Sequence, residues 1–307
     1  MSLQTVQAWA PATIANLNVG FDGLGCALSA PGETITATWD PQGEGLTIAE
    51  IKGATGLSFN PAENVAGVAA QSLMKALAVR GGVTLKIDKQ IMPGSGIGSS
   101  AASAAAAVVA IDGLFNAGLR PDELLTFALD GEALASGSRH ADNVAPALMG
   151  GLVLCPPEGR PRPLRVPGDW AITVVHPQVT IKTSEARAVL PNMVPFRDAI
   201  QQARWFATFV SACADGDDET AGFALEDLLV TPHRSALIPG FEELRKLAFD
   251  QGARAGGIAG SGPSTFWLGK GEDWKRANWA SDFYAQRGIA ARVYSTTISP
   301  QGAHIIA

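Results

Sequence analysis

Pro93-Gly94-Ser95-Gly96-Ile97-Gly98-Ser99-Ser100, running straight into the alanine-rich stretch Ala101 to Val109, is the segment that decides how this chain folds. Three glycines within five residues let the backbone turn tightly and approach a ligand closely. The alanines that follow are the strongest helix formers. A loop of this kind feeding a helix start leaves several N–H groups free, with the positive end of the helix dipole behind them. Such a place binds phosphate. The two serines add hydroxyls able to reach a phosphate oxygen or a metal ion. Other glycine-loop readings fail on spacing: a P-loop needs Lys directly after its last glycine, and Gly98 is followed by Ser99. The dinucleotide fingerprint needs G-x-G-x-x-G, whereas the glycines here fall at 94, 96 and 98. From this stretch alone, a glycine turn ahead of a tightly packed small-residue helix remains the alternative.

The rest of the chain bounds what that loop can serve. A length of 307 residues predicts two domains, at roughly 100–200 residues each. With 47% hydrophobic and 17% charged residues the chain is globular and can bury a large core. A net charge of −6 argues against non-specific nucleic-acid binding, which relies on clustered Lys and Arg. Cys26, Cys155 and Cys213 are few, scattered and odd in number, fitting neither a disulfide framework nor a metal site, and suit a reducing compartment. The first ten residues lack the pattern of a signal peptide, and Ala101 to Ile111 is too short for the roughly 20 residues of a membrane span. The expectation is a soluble cytoplasmic protein with no nucleic-acid or membrane partner.

Outward from the loop, Val83 to Ile87 alternates and predicts a strand entering it, and Ser99 to Asn116 predicts a long buried helix. Thr5 to Ala10, Thr34 to Trp39 and Leu46 to Ile51 read as strands; Asn64 to Val79 carries a helical apolar stripe. Pro121, at a first helical position, starts another helix. The prolines at 156, 157, 161, 163 and 167 give the best linker signal and divide the chain into 1–160 and 161–307. Beyond them Ala171 to His176, Arg254 to Ile258, Thr265 to Leu268 and Ala290 to Tyr294 read as strands. Pro195 to Ala214, Glu219 to Leu229, Phe241 to Asp250 and Asp273 to Gln286 read as helices. Strands mixed with helices in both halves predict an α+β protein of two domains.

Four further groups of residues could carry chemistry. Asn16, Asn18 and Asp22 lie in Pro11–Gly25 among small and apolar neighbours, where buried polar groups need partners; a polar ligand would be one, a tight Asx loop is the other explanation. Glu132 falls late in a helix, where its charge opposes the dipole, so a divalent cation or simple solvent exposure would account for it. His140 has no His or Cys at ligand spacing, which argues against zinc and for a structural role. Arg187 and Arg234 could each fork onto a carboxylate or phosphate, although such arginines are often surface residues. Gly256 to Thr265 is a third glycine-rich turn, between two strand candidates, and becomes a second wall of an anion pocket only in company with the others.

Taken together and in this order, Pro11–Gly25, Pro93–Ser103 and Gly257–Thr265 resemble the three motifs of the GHMP kinase superfamily. Within it, Pro11-Ala12-Thr13 with Ala15-Asn16-Leu17 and Gly20-Phe21-Asp22, Asp142-Asn143-Val144-Ala145-Pro146, Glu185-Ala186-Arg187 and Arg234 with Leu237 to Phe241 are similar to its homoserine kinase branch. The resemblance implies a two-domain GHMP kinase fold, with a half like ribosomal protein S5 domain 2 followed by a ferredoxin-like half. It implies ATP and Mg²⁺, transfer of a phosphoryl group to the hydroxyl of L-homoserine in threonine biosynthesis, and a homodimer. Residue by residue, it implies that Pro93, Gly94, Ser95, Gly96, Ile97, Gly98, Ser99, Ser100 and Ala101 cradle the nucleotide phosphates, with Asn64 near adenine or ribose. Ser99 or Ser100 with Glu132 would hold Mg²⁺, and Asn16, Asp22, Asn143, Arg187 and Arg234 would surround the substrate.

The residue chemistry agrees with that assignment. Arg187 and Arg234 suit a carboxylate, Asp22 an ammonium, and Asn16 or Asn143 a hydroxyl, so Asn16, Asn143 and Arg187 are the catalytic candidates. Mevalonate and galactose kinases carry an Asp base where Asn143 stands, and an amide cannot take a proton at neutral pH. The hydroxyl proton would then pass to the phosphate, directly or through water, with Asp142 as the competing base. Ile97, Asn18 and Gly23 depart from the family's common choices without removing a polar group that the chemistry needs. A kinase of another hydroxy acid or polyol and a non-catalytic ligand sensor are the competing functions. Sensors usually lose the loop or metal residues, and Ser99, Ser100 and Glu132 are all present.

Overall fold

The alternation seen at Val83 to Ile87 does build a strand, and the strand does deliver the chain to the glycine loop. The structure is a computed structural model and describes residues 4–271, 274 and 278–307. In chain order its first half comprises β1 (Gln4–Ala15), β2 (Leu24–Asp40), β3 (Gly45–Lys52), α1 (Val65–Ala76), β4 (Gly82–Lys89), α2 (Ser99–Phe115), α3 (Pro121–Ser136), α4 (Ala141–Met149), β5 (Leu152–Leu154) and β6 (Arg162–Leu164). The second half adds β7 (Ala171–Pro177), α5 (Thr183–Ala188), α6 (Phe196–Asp215), α7 (Asp218–Phe223), α8 (Thr231–Arg234), α9 (Phe241–Asp250), β8 (Ala255–Ile258), β9 (Thr265–Gly269), α10 (Asn278–Ala285), β10 (Ala291–Thr297) and β11 (His304–Ile305).

The first sheet runs β11-β1-β2-β4-β3, with β5 added to β2 and β6 to β5. Its pairings are antiparallel except β3 with β4, which α1 connects by a crossover, as parallel neighbours require. Helix α2 packs against this sheet and against α1, α3 and α4. Alanines 101, 102, 104–107 and 110 are all fully buried. Each methyl contributes little hydrophobic energy; what the run gives is close approach of the helix to its neighbours on every side, and enlarging one of them would overpack the site at a cost of about 1–3 kcal/mol.

The second sheet has the order β10-β7-β9-β8, antiparallel throughout. Numbered within this half the order is 4-1-3-2, the arrangement of a ferredoxin-like split βαβ unit. Every residue of β7 is buried, because both of its faces are covered. Ile172 and Val174 join the core shared with the first sheet, while Ala171 and Val175 join a second core beneath α9 and α10. Phe266 and Trp267 on β9 divide in the same way, as the two-residue period of a strand dictates.

Three expectations change. The proline stretch is more than a linker: Arg162–Leu164 pairs with β5, and β11 returns to β1, so a cut after residue 160 divides a hairpin and leaves the last strand in the first sheet. The helix expected over 219–229 stops at Phe223. Further on, the carboxylate of Asp227 accepts from the amides of Leu229, Val230 and Thr231, holding residues 227–231 in a local turn in place of the last part of the expected helix. The helix expected over 273–286 is seen as Asn278–Ala285; residues 272, 273 and 275–277 lie outside the described residues. Among the described residues no helix is long and apolar enough to cross a membrane.

Candidate active site

All three glycines of the loop adopt positive φ, at 75° for Gly94, 84° for Gly96 and 69° for Gly98. Close approach fixes two of them as well. A Cβ on Gly96 would meet the Gly262 carbonyl at 2.6 Å, and one on Gly98 would run into the Thr13 hydroxyl. The third glycine-rich turn is therefore a back wall of the loop, tied to it by the Ser264 amide donating to the Ser95 carbonyl at 3.2 Å. From the other side the Thr13 amide donates to the Ile97 carbonyl at 3.2 Å. Among the described hydrogen bonds none uses the amides of Gly96, Ile97 or Gly98, and those of Ser99, Ser100 and Ala101 begin a helix, where no intrahelical acceptor exists. Side chains of Ser95, Ile97 and Ala101 turn into the core. The remaining loop residues line a cavity of about 340 Å³.

Two carboxyl groups project into that cavity from the helices beside it. Glu132 is buried on α3, and its Oε2 has no hydrogen-bond partner. Burial pushes its pKa up, with the Ser100 and Ser136 hydroxyls opposing the shift. Asp142, at the start of α4, is raised to about 7 by burial first, then by the nearby charges of Asp22 and Glu132. An orphaned carboxylate oxygen among other negative groups is the donor set a divalent cation completes, so these residues fit a metal ion bound together with phosphate.

The two serines part company. Ser99 Oγ donates to Glu33 Oε1 at 2.9 Å and lies 3.1 Å from the Ile91 carbonyl, so its hydroxyl is already engaged away from Glu132. Ser100 is the serine beside Glu132. Asn64 caps α1, with Oδ1 accepting from the Ala66 amide and Nδ2 donating to the Ser58 carbonyl, while its side chain also lines the cavity.

In the same cavity Asp22, His140, Arg187 and Arg234 come together. Asp22 follows a left-handed turn at Asn16 to Asn18, and Asn16 bridges it to the back wall. The Asn16 Oδ1 accepts from the Asp22 amide at 2.9 Å and its Nδ2 donates to the Gly260 carbonyl at 3.0 Å. Arg187 Nη2 lies 3.5 Å from the Asp22 carboxylate and 2.9 Å from His140 Nε2, and His140 Nδ1 lies 3.7 Å from Asp22. His140 is thus a cavity residue rather than a purely structural one. Arg234 is buried; it donates to the carbonyls of Ala186 and Gly260, stacks its guanidinium over Phe21, and has no carboxylate within salt-bridge distance among the described residues. Burial, with Arg187 nearby, lowers its pKa. Asn143 accepts a hydrogen bond at Oδ1 from the Thr13 hydroxyl at 2.7 Å, which fixes the amide and turns its N–H₂ away from Thr13.

Thr13 and Glu33, to which the sequence assigned no role, contact Asn143 and Ser99, and Lys89 and Ser103 hold Glu33 and line the same cavity. Glu33 falls in phase with Ile35 and Ala37 along β2, and Lys89 in phase with Leu85 and Ile87 along β4. Charged residues on an inward phase are the signal that could have found them. All three cysteines are buried, with thiols pushed up to about 12, and carry no thiolate chemistry.

Residues 64–151 match the family described as GHMP kinases N terminal domain. Homoserine kinase of Xanthomonas campestris pv. campestris is 42% identical over 265 residues, covering 86% of this chain and 82% of that protein. Homoserine kinase of Pyrococcus abyssi is 37% identical, covering 85% and 87%. The crystal structure of homoserine kinase from Cytophaga hutchinsonii superimposes with a TM-score of 0.94 at 35% identity, covering 99% of this chain and 98% of the other.

Proposed function

The chain belongs to the homoserine kinase family of GHMP kinases, and from that premise we propose that it transfers the γ-phosphoryl group of ATP to the side-chain hydroxyl of L-homoserine, giving O-phospho-L-homoserine and ADP. One observation carries the assignment of its residues. One cavity holds two anion receptors, helix-start amides that no described hydrogen bond uses and, among the described residues, a buried guanidinium without a carboxylate partner. Two anionic substrates meeting in one cavity is what a kinase of an amino acid requires.

The loop from Gly94 to Ser100 holds the phosphates through backbone N–H groups that are already oriented and need no reorganisation when charge builds up. Ser100 and Glu132 would hold Mg²⁺, which when bound neutralises phosphate charge. Arg187 and Arg234 take the substrate carboxylate and Asp22 its ammonium. Asn143, held by Thr13, orients the hydroxyl, while Asn16 keeps Asp22 and the back wall in register. Alignment of this kind accounts for up to roughly 7–11 kcal/mol of a transfer barrier, so a dedicated base is not required and the hydroxyl proton passes to a phosphate oxygen, directly or through water. The protein acts as a homodimer in the cytoplasm on this reading. A coupled assay of ADP release with homoserine and Mg-ATP tests the function; turnover is expected, and binding without turnover would make the protein a sensor instead.

A further inference from the structure

Behind the loop lies a buried charge cluster that the chemistry above does not use. Glu33 on β2 and Lys89 on β4 are direct cross-strand partners. Their side chains, 0% and 5% exposed, pair at 2.9 Å. The carboxylate also accepts from Ser99 Oγ at 2.9 Å and from Ser103 Oγ, and Lys89 Nζ donates to Ser103 Oγ at 2.8 Å. Ser99 and Ser103 lie four residues apart, so they share one face across the first two turns of α2. The pair therefore grips the helix at the point where the phosphate loop enters it.

A buried ion pair is poor evidence of stability, since apolar residues of the same volume often serve as well. What this one does supply is a direction. Ser99 and Ser100 are adjacent and differ by about 100° around the helix, so only one of the two hydroxyls can face Glu132. Because Glu33 holds Ser99, Ser100 is the one that does.

We propose that Glu33, acting through Ser99, is a positioning residue for the nucleotide: it fixes the rotation of the first turn of α2 and thereby the aim of the phosphate-binding amides. The proposal rests on the nucleotide reading of the cavity given above. It is tested in the intact protein by titrating MgADP calorimetrically into the wild type, Ser99→Ala and Glu33→Gln, alongside KM values for both substrates and thermal midpoints. Ser99→Ala changes no charge and carries the test if Glu33→Gln folds poorly. The expected result is roughly tenfold weaker MgADP binding by Ser99→Ala, about 1.4 kcal/mol, a matching rise in KM for ATP, and KM for homoserine within about twofold of wild type. MgADP affinity unchanged in Ser99→Ala, or both KM values raised equally, overturns the proposal, whatever the thermal midpoint does. Failure of the wild type to bind MgADP would instead remove the nucleotide reading itself.

Discussion

Two ion pairs flank the cavity, and they differ in kind. Glu33 and Lys89 meet at 2.9 Å with almost no exposure, enclosed between a sheet and a helix. Arg187 and Asp22 meet at 3.5 Å, and 42% and 32% of their side chains stay exposed. The first is architecture, since breaking it strands a buried charge and is strongly destabilising. The second is screened by water and worth about 0–1 kcal/mol. On the proposed reading a zwitterionic substrate would therefore separate Arg187 from Asp22 at little cost and replace each with its own carboxylate and ammonium. On that same reading the donor side is rigid because it must present fixed amides to a flexible triphosphate, and the acceptor side is loose because its groups would exchange partners on every turnover.

The contrast can be broken at several points. The largest effect belongs to Glu132→Gln, which on the proposed reading would remove a cation ligand; kcat should fall about a hundredfold or more, with KM for homoserine little changed in initial-rate kinetics. Next comes Arg234→Ala at the exchange end. A buried, charge-assisted contact to the carboxylate is worth about 1.5–3 kcal/mol, so KM for homoserine should rise at least tenfold with kcat less affected. Arg187→Ala, already half-exposed, should raise the same KM less. If the order of the two arginines is reversed, the exchange picture is wrong.

Asp142 sharpens the comparison through pH. Its folded pKa, about 7, lies above the usual carboxylate value, so its contribution to stability is fully present below about pH 4 and is lost as pH rises towards 7. Asp142→Asn should abolish that loss and stabilise the unliganded protein at pH 8 by on the order of 2 kcal/mol, seen in denaturant melts. It should also keep near-normal kcat; a large fall in kcat would make Asp142 the base. The smallest effect is expected from a double-mutant cycle on the stability of Asp22→Asn and Arg187→Ala, whose coupling should stay below about 1 kcal/mol.

Much of this was legible in the sequence because it is local. The glycine loop, the alanine helix and the strand feeding it are set by neighbours a few residues away. Residues such as Arg187 and Arg234 could be named from their motifs. What could not be read was pairing across distance. Thr13 reaches Asn143 across 130 positions, and Ser99 is claimed by Glu33 across 66, so the choice between Ser99 and Ser100 was open until the helix rotation was known. His140 looked structural because a lone histidine carries no spacing signal; only the fold sets it between Asp22 and Arg187. The pairings of β6 and β11 were out of reach for the same reason, since their partners lie in other parts of the chain.

Strand β7, with one face in each core, has a consequence for movement. A wall common to two compartments makes a poor hinge, because swinging one sheet away from the other would open both hydrophobic interiors at once. Heating should therefore melt the two sheets in one cooperative calorimetric step rather than two.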